Sequence, residues 1–232
     1  MHARPVDLAP LIDHTLLHPG ATDADLMRLA MEAVEHSFAA VCVNSRAVPL
    51  VARALAGTPV RVVSVAGFPL GASLSAVKAT EAELAVRLGA HEIDMVLSVG
   101  DLLAGERGRV RDDISEVRRA VPAAILKVIL ECGLLPSALR REGALIAAEA
   151  GADFVKTSTG SGPGGATVED VRLLRETVGP HVGVKASGGI RTFAEALAMV
   201  RAGANRLGTS AGVAIVSTPG CQLPVAEGPP CA

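Results

Sequence analysis

The sequence predicts an α/β fold in which eight strand–helix units close into a single (β/α)8 TIM barrel, and three observations point there. Short β-branched runs alternate with longer segments of helical period, each run followed by glycine, proline or a small polar residue. Eight such runs exceed the usual five or six strands of an open doubly wound sheet, and a length of 232 residues suits one barrel domain. A Gly-Ala pair closes a helical segment just before a strand at Gly89-Ala90, Gly151-Ala152 and Gly203-Ala204, a weak internal repeat with glycine where a left-handed helix end wants it.

In chain order the strand candidates are 11–16, 39–43, 60–66, 92–97, 124–130, 152–157, 182–186 and 205–208. Helix starts are marked by Thr22 with Asp25, Thr167 with Asp170 and Thr192 with Glu195, each at capping-box spacing. Leu26, Leu29, Ala30, Ala33 and Val34 recur at helical period and give the first helix one apolar face. The barrel is expected to occupy 1–217, and the aperiodic Pro/Gly-rich stretch 218–232 reads as a flexible tail.

Composition narrows the function. Half the residues are hydrophobic and 20% charged, enough for a large core. A formal net charge of −2, 2% aromatics and no Trp or Tyr remove both the basic footprint and the stacking platforms of a nucleic-acid binder. The amino-terminal stretch is interrupted by Asp7, Asp13 and prolines, and the run VPAAILKVIL is broken by Lys127, so neither a signal peptide nor a membrane span is expected. A cytoplasmic location follows, with Cys42, Cys132, Cys221 and Cys231 as free thiols.

Lysine is scarce, and its placement is informative. Of 22 basic residues only Lys78, Lys127, Lys156 and Lys185 are lysines, and the last three fall inside strand candidates. Buried ammonium groups must be paired or lose their protons, and Asp94 and Glu131 stand under the same constraint. Such charges form either a structural ion-pair network or a lysine nucleophile with its helpers. Lysine suits condensation with a carbonyl to an iminium, an electron sink for the neighbouring C–C bond. A second lysine lowers the nucleophile's pKa and a carboxylate relays protons, parts that Lys156, Lys185 and Asp94 can supply. Lys78, in a helical run, reads as a solvated surface residue.

Other motifs are weaker. GSGPGG at 160–165 matches a dinucleotide fingerprint but has Lys185 where an acid is wanted. GTSAG at 208–212 matches a hydrolase nucleophile elbow, yet no Asp or His follows Ser210. Both fit amide cradles for an anion, and barrels commonly build a phosphate site from the loops after strands seven and eight. Those loops hold Gly188 and Gly189, and Gly208 and Ser210; tight turns are the plainer reading. The histidines give no HxH or HExxH spacing, so no metal is expected, and Cys42 ends a strand close to where the site would lie.

FVKTSTG, VKASGGIR, EIDMV and LKVILECG together, in that family's arrangement, closely resemble the deoxyribose-phosphate aldolases, Schiff-base aldolases of class I. The resemblance covers nearly the whole chain and implies a (β/α)8 barrel that reversibly cleaves 2-deoxy-D-ribose 5-phosphate to D-glyceraldehyde 3-phosphate and acetaldehyde, in deoxyribonucleoside catabolism. It assigns the Schiff base to Lys156, proton transfer to Lys185 and Asp94, and a supporting charge to Lys127. Thr159 is implied to line the substrate channel, and Gly188, Gly189, Gly208 and Ser210 to contact phosphate. No cofactor is implied, and a homodimer is. Ala211 stands where many members have a second serine, Ser161 where some have a lysine, and the chain has no tyrosine for the tail residue some members fold over the site. The alternatives are a Schiff-base aldolase for another sugar phosphate and a non-catalytic sugar-phosphate-binding barrel.

Overall fold

A computed structural model describes residues 6–217, so the expected tail and Cys221 and Cys231 lie outside the described residues. Eight parallel strands close into a barrel in chain order: β1 Ile12–Leu16, β2 Ala40–Val43, β3 Arg61–Ala66, β4 Glu92–Val96, β5 Ile125–Ile129, β6 Phe154–Lys156, β7 Gly183–Ser187 and β8 Arg206–Thr209. Closure comes from β8 pairing with β1, Gly208 opposite Asp13. Every strand candidate is present, trimmed by a residue or two at most ends.

Between them run α1 Asp23–Glu35, α2 Val48–Ala54, α3 Ser75–Arg87, α4 Val99–Leu103, α5 Arg107–Ala120, α6 Ser137–Glu149, α7 Val168–Val178 and α8 Phe193–Arg201, with α9 Gly212–Val216 after β8. Thr22 and Thr192 close complete capping boxes with Asp25 and Glu195, and the Thr167 hydroxyl accepts from the Asp170 amide. Gly89, Gly151 and Gly203 all take positive φ, as the repeat implied. On α1 the apolar face is narrower than the pattern suggested: Leu26, Leu29, Ala30 and Ala33 are buried, while Val34 is exposed. No helix among the described residues is long and apolar enough to cross a membrane.

Two apolar regions divide the interior. The larger core fills the layer between strands and helices, where outward-pointing Ile93, Met95, Leu126, Val128, Val155 and Val184 meet the helices. A separate cluster of Ala40, Cys42, Val63 and Val65 lines β2 and β3 inside the barrel. Because successive strand residues face opposite sides, the remaining strands present their alternate positions to that interior, and these include Asp13, Glu92, Asp94, Lys127, Lys156, Lys185 and Arg206.

One expectation is corrected here. Lys78 is not a solvated surface residue: it is fully buried on α3, its ammonium 2.7 Å from Asp113 of α5 and 3.0 Å from the Val96 carbonyl at the end of β4. The face of α3 that packs inward carries only Ala79, Ala82 and Ala85 beside it, so the long lysine stem fills the space large apolar residues would take, running over Gly67.

Candidate active site

Asp94 sits at the centre of the interior charges. It leaves β4 toward the barrel axis, fully buried, opposite Lys127 in the strand register. Its Oδ1 accepts from Lys127 at 2.8 Å, and its Oδ2 accepts from both Lys156 at 2.8 Å and Lys185 at 2.7 Å. Lys156 and Lys185 are register partners on β6 and β7, which brings their amines to one oxygen. Gly208 on β8 leaves room for this: a Cβ there would stand 3.0 Å from Cε of Lys185 and 2.8 Å from the Ser187 Cβ.

Further charges extend the cluster downward. Lys185 also donates to Asp13 of β1, and Lys127 lies 2.6 Å from Oε2 of Glu92, a charge contact off the hydrogen-bond direction. Arg206 of β8 donates to Asp13 at 2.9 Å and to Glu92 at 3.4 Å. Burial penalises ionisation of Asp94, but Lys127, Lys156 and Lys185 outweigh it and hold the carboxyl well below the usual range. Burial likewise opposes the charge on Lys185, which Asp13 and Asp94 reverse, raising it above an ordinary lysine. At Lys156 burial wins: its single carboxylate, Asp94, offsets only part of that penalty, the Lys185 ammonium adds to it, and the amine is lowered.

Above this cluster opens a cavity of about 440 Å³ at the carboxyl ends of the strands. Lys156, Thr159, Gly188, Gly189, Gly208 and Ser210 all line it. Gly188 has φ +92° and packs against Gly165, whose own Cβ would fall 2.4 Å from the Gly188 carbonyl oxygen, so the two glycine-rich loops touch backbone to backbone. The Thr159 hydroxyl donates to the buried Glu131 and accepts from the Ser161 amide at 3.0 Å, so it organises the loop as well as facing the cavity. Among the described residues no three His, Cys, Asp or Glu side chains are grouped to hold a metal ion.

A paired lysine and carboxylate beneath a cavity, with glycine loops at its rim, is equipped for imine chemistry on a small anionic carbonyl compound. The family model described as DeoC/LacD family aldolase matches residues 8–218. The chain belongs to the DeoC/LacD family of aldolases. It is 53% identical to the deoxyribose-phosphate aldolase of Deinococcus radiodurans over 91% of this chain and 96% of that one. It is 52% identical to that of Carboxydothermus hydrogenoformans over 90% and 93%. Among solved structures, the deoxyribose phosphate aldolase of Aeropyrum pernix, described as tetrameric, superposes with a TM-score of 0.84 at 36% identity over 90% of this chain and 89% of that one. The chain is therefore an aldolase, a lyase built on a TIM barrel.

The candidate site of this aldolase unites the strand residues singled out in the sequence, with differences of depth. Lys156 reaches the cavity, whereas Lys127, Lys185 and Asp94 lie beneath it and are not part of its lining. Cys42 faces the interior from β2 but is fully buried against Val63 and Val65, and burial pushes its thiol up. Asp13, Glu92 and Arg206 were not foreseen. Their signal is parity: Glu92 stands two residues before Asp94 in EIDMV, and Arg206 two before Gly208, hence on the same strand faces. Arg191, at the cavity rim, was also missed, because only the glycines of SGGIR were weighed.

Proposed function

We propose that this aldolase reversibly cleaves 2-deoxy-D-ribose 5-phosphate to D-glyceraldehyde 3-phosphate and acetaldehyde through a Schiff base on Lys156. One observation carries the reading: of the three lysines inside the barrel, Lys156 alone lines the cavity and it alone is lowered, so it is the amine able to meet a carbonyl in neutral form. The names of the relatives support the substrate.

The amine adds to the C1 aldehyde, and loss of water gives the iminium. The C3 hydroxyl then releases its proton, the C2–C3 bond breaks, and its electron pair moves into the iminium to form an enamine as glyceraldehyde 3-phosphate departs. Protonation at C2 and hydrolysis free acetaldehyde and Lys156. Lys185 and Asp94, on the same oxygen as the nucleophile, carry protons to and from these steps, and Lys127 keeps Asp94 ionised. Gly188, Gly189, Gly208 and Ser210 take the phosphate, and the Arg191 guanidinium adds a charge at the same rim.

Incubation with acetaldehyde and borohydride is expected to add one reduced imine, located on Lys156 by peptide mapping. Labelling that persists unchanged in Lys156→Ala overturns the assignment. Product assays with 2-deoxyribose 5-phosphate beside fructose 1,6-bisphosphate and a 2-keto-3-deoxy sugar acid phosphate test the substrate; cleavage of either of the latter in its place overturns it. A cytoplasmic homodimer completes the reading. Leu70, Leu74, Val77, Leu84 and Leu88, exposed on α3 and at its two ends, offer apolar surface for self-association. Light scattering at the mass of one chain overturns that part.

A further inference from the structure

The buried charges close on themselves. Following contacts from Arg206, the path runs to Asp13, Lys185, Asp94, Lys127 and Glu92 and back to Arg206, a ring in which cation and anion alternate at every step. The ring holds three cations and three carboxylates, and it is neutral without Lys156. Each cation of the ring contacts at least two carboxylates, whereas among the described residues Lys156 contacts the carboxylate of Asp94 alone, whose two oxygens already serve Lys127 and Lys185. A proton on Lys156 is therefore a surplus positive charge on a largely buried amine.

We propose that Arg206 and Glu92, on the lower side of the barrel away from the cavity, are positioning residues that set the protonation state of Lys156 by fixing the charge count of this ring. The inference rests on Lys156 being the Schiff-base lysine. Neither residue lines the cavity, so neither meets substrate. Nor does stability account for the ring, since buried ion networks are commonly no better for stability than apolar residues of similar volume. The groups facing Lys156 are Asp13 on β1, Cys42 on β2, Glu92 and Asp94 on β4, Lys127 on β5, Lys185 on β7 and Arg206 on β8. Inside the barrel β3 presents Val63 and Val65, and its Arg61, half-exposed at the lower end, touches Glu92 at 3.6 Å. Above β5 and β6, Glu131 is engaged by Thr159, and His18 and Arg191 stand at the cavity rim. Burial holds the Cys42 thiol neutral. Directions agree with the count: against the penalty of burial, Lys127, Lys185 and Arg206 are raised by their carboxylates, and Lys156 is lowered.

The test is the pH midpoint of borohydride-trapped imine formation with acetaldehyde. Arg206→Met leaves the ring one cation short, so Lys156 keeps its proton and the midpoint moves up by roughly one pH unit, the effect of a unit charge on the order of 10 Å away at an effective dielectric of about 20. Glu92→Gln leaves it one anion short and moves the midpoint down. The double variant returns toward the parent, and Arg206→Lys, which keeps the charge, leaves the midpoint in place. A residue that merely supports the fold would not move the midpoint in opposite directions. An unmoved or lowered midpoint in Arg206→Met overturns the proposal, and if that variant does not fold, an unmoved or raised midpoint in Glu92→Gln does so. Absence of any adduct on Lys156 in the parent enzyme instead overturns the Schiff-base assignment.

Discussion

Replacing Lys185 with Met tests how Lys156, the proposed nucleophile, is tuned. The amines of Lys156 and Lys185 bond the same Oδ2 of Asp94 at 2.8 and 2.7 Å. With an ordinary angle at that oxygen they stand about 4.5 Å apart, and at an effective dielectric of about 20 their repulsion is about 3.7 kcal/mol, or roughly 2.7 pK units. Lys185→Met removes this repulsion and frees Asp13 and Asp94 to attract a proton to Lys156, so both effects raise it. The midpoint of borohydride-trapped imine formation should climb by two to three pH units, on the order given by that repulsion, and the neutral fraction at pH 7 should fall. Turnover alone does not separate tuning from the proton-transfer role proposed for Lys185; the imine titration does. A midpoint unchanged to within a few tenths of a unit would mean that burial alone lowers Lys156.

The remaining predictions concern stability, metals and the carboxyl terminus. Lys156 is lowered in the folded state, so the unfolded chain binds a proton that the folded chain does not, and stability rises with pH between its folded value and that of an ordinary lysine. Lys156→Met should remove that slope in melts from pH 6 to 10 and stabilise the protein at pH 7 by about 1.4 kcal/mol per unit of lowering; a lower Tm with the slope retained refutes it. Lys78→Met strands the buried Asp113 carboxylate and should cost about 3–5 kcal/mol in urea unfolding, most of it recovered in Lys78→Met/Asp113→Leu; an equal loss in the double variant refutes the pairing argument. Exhaustive chelation should leave the cleavage rate intact, and activity lost to EDTA and restored by zinc would point to a metal-dependent aldolase. Truncation after Ser217 should keep cooperative unfolding, because the barrel is already closed by β8 on β1; a Tm lowered by many degrees would contradict this.

What the sequence discloses follows from the range of each signal. Strand runs, threonine caps and Gly-Ala helix ends are local, and all are present in the fold. Lys127, Lys156, Lys185 and Asp94 stand out because a charge inside a β-branched run has no solvent-facing explanation. Lys78 misled for the opposite reason. A lysine in a helix reads as exposed unless the packing partners are known, and Asp113 lies 35 residues away on another helix. Asp13 and Arg206 meet across 193 residues, a pairing that only closure of the barrel creates.

Strand parity then explains how a barrel places reactive charge at its axis while keeping a dry core. The outward positions of β4 to β7 are Ile, Met, Leu, Val and, at Ala186, Ala, and they pack beneath the helices. The inward positions of the same strands include Glu92, Asp94, Lys127, Lys156 and Lys185. A one-residue slip of any of these strands would exchange the two sets, burying charge under the helices and emptying the site. The apolar patch on β2 and β3 matters for the same reason. It contributes no carboxylate that would give Lys156 a second partner, so among the described residues Lys156 stays the one cation of the barrel interior with a single, shared counter-ion.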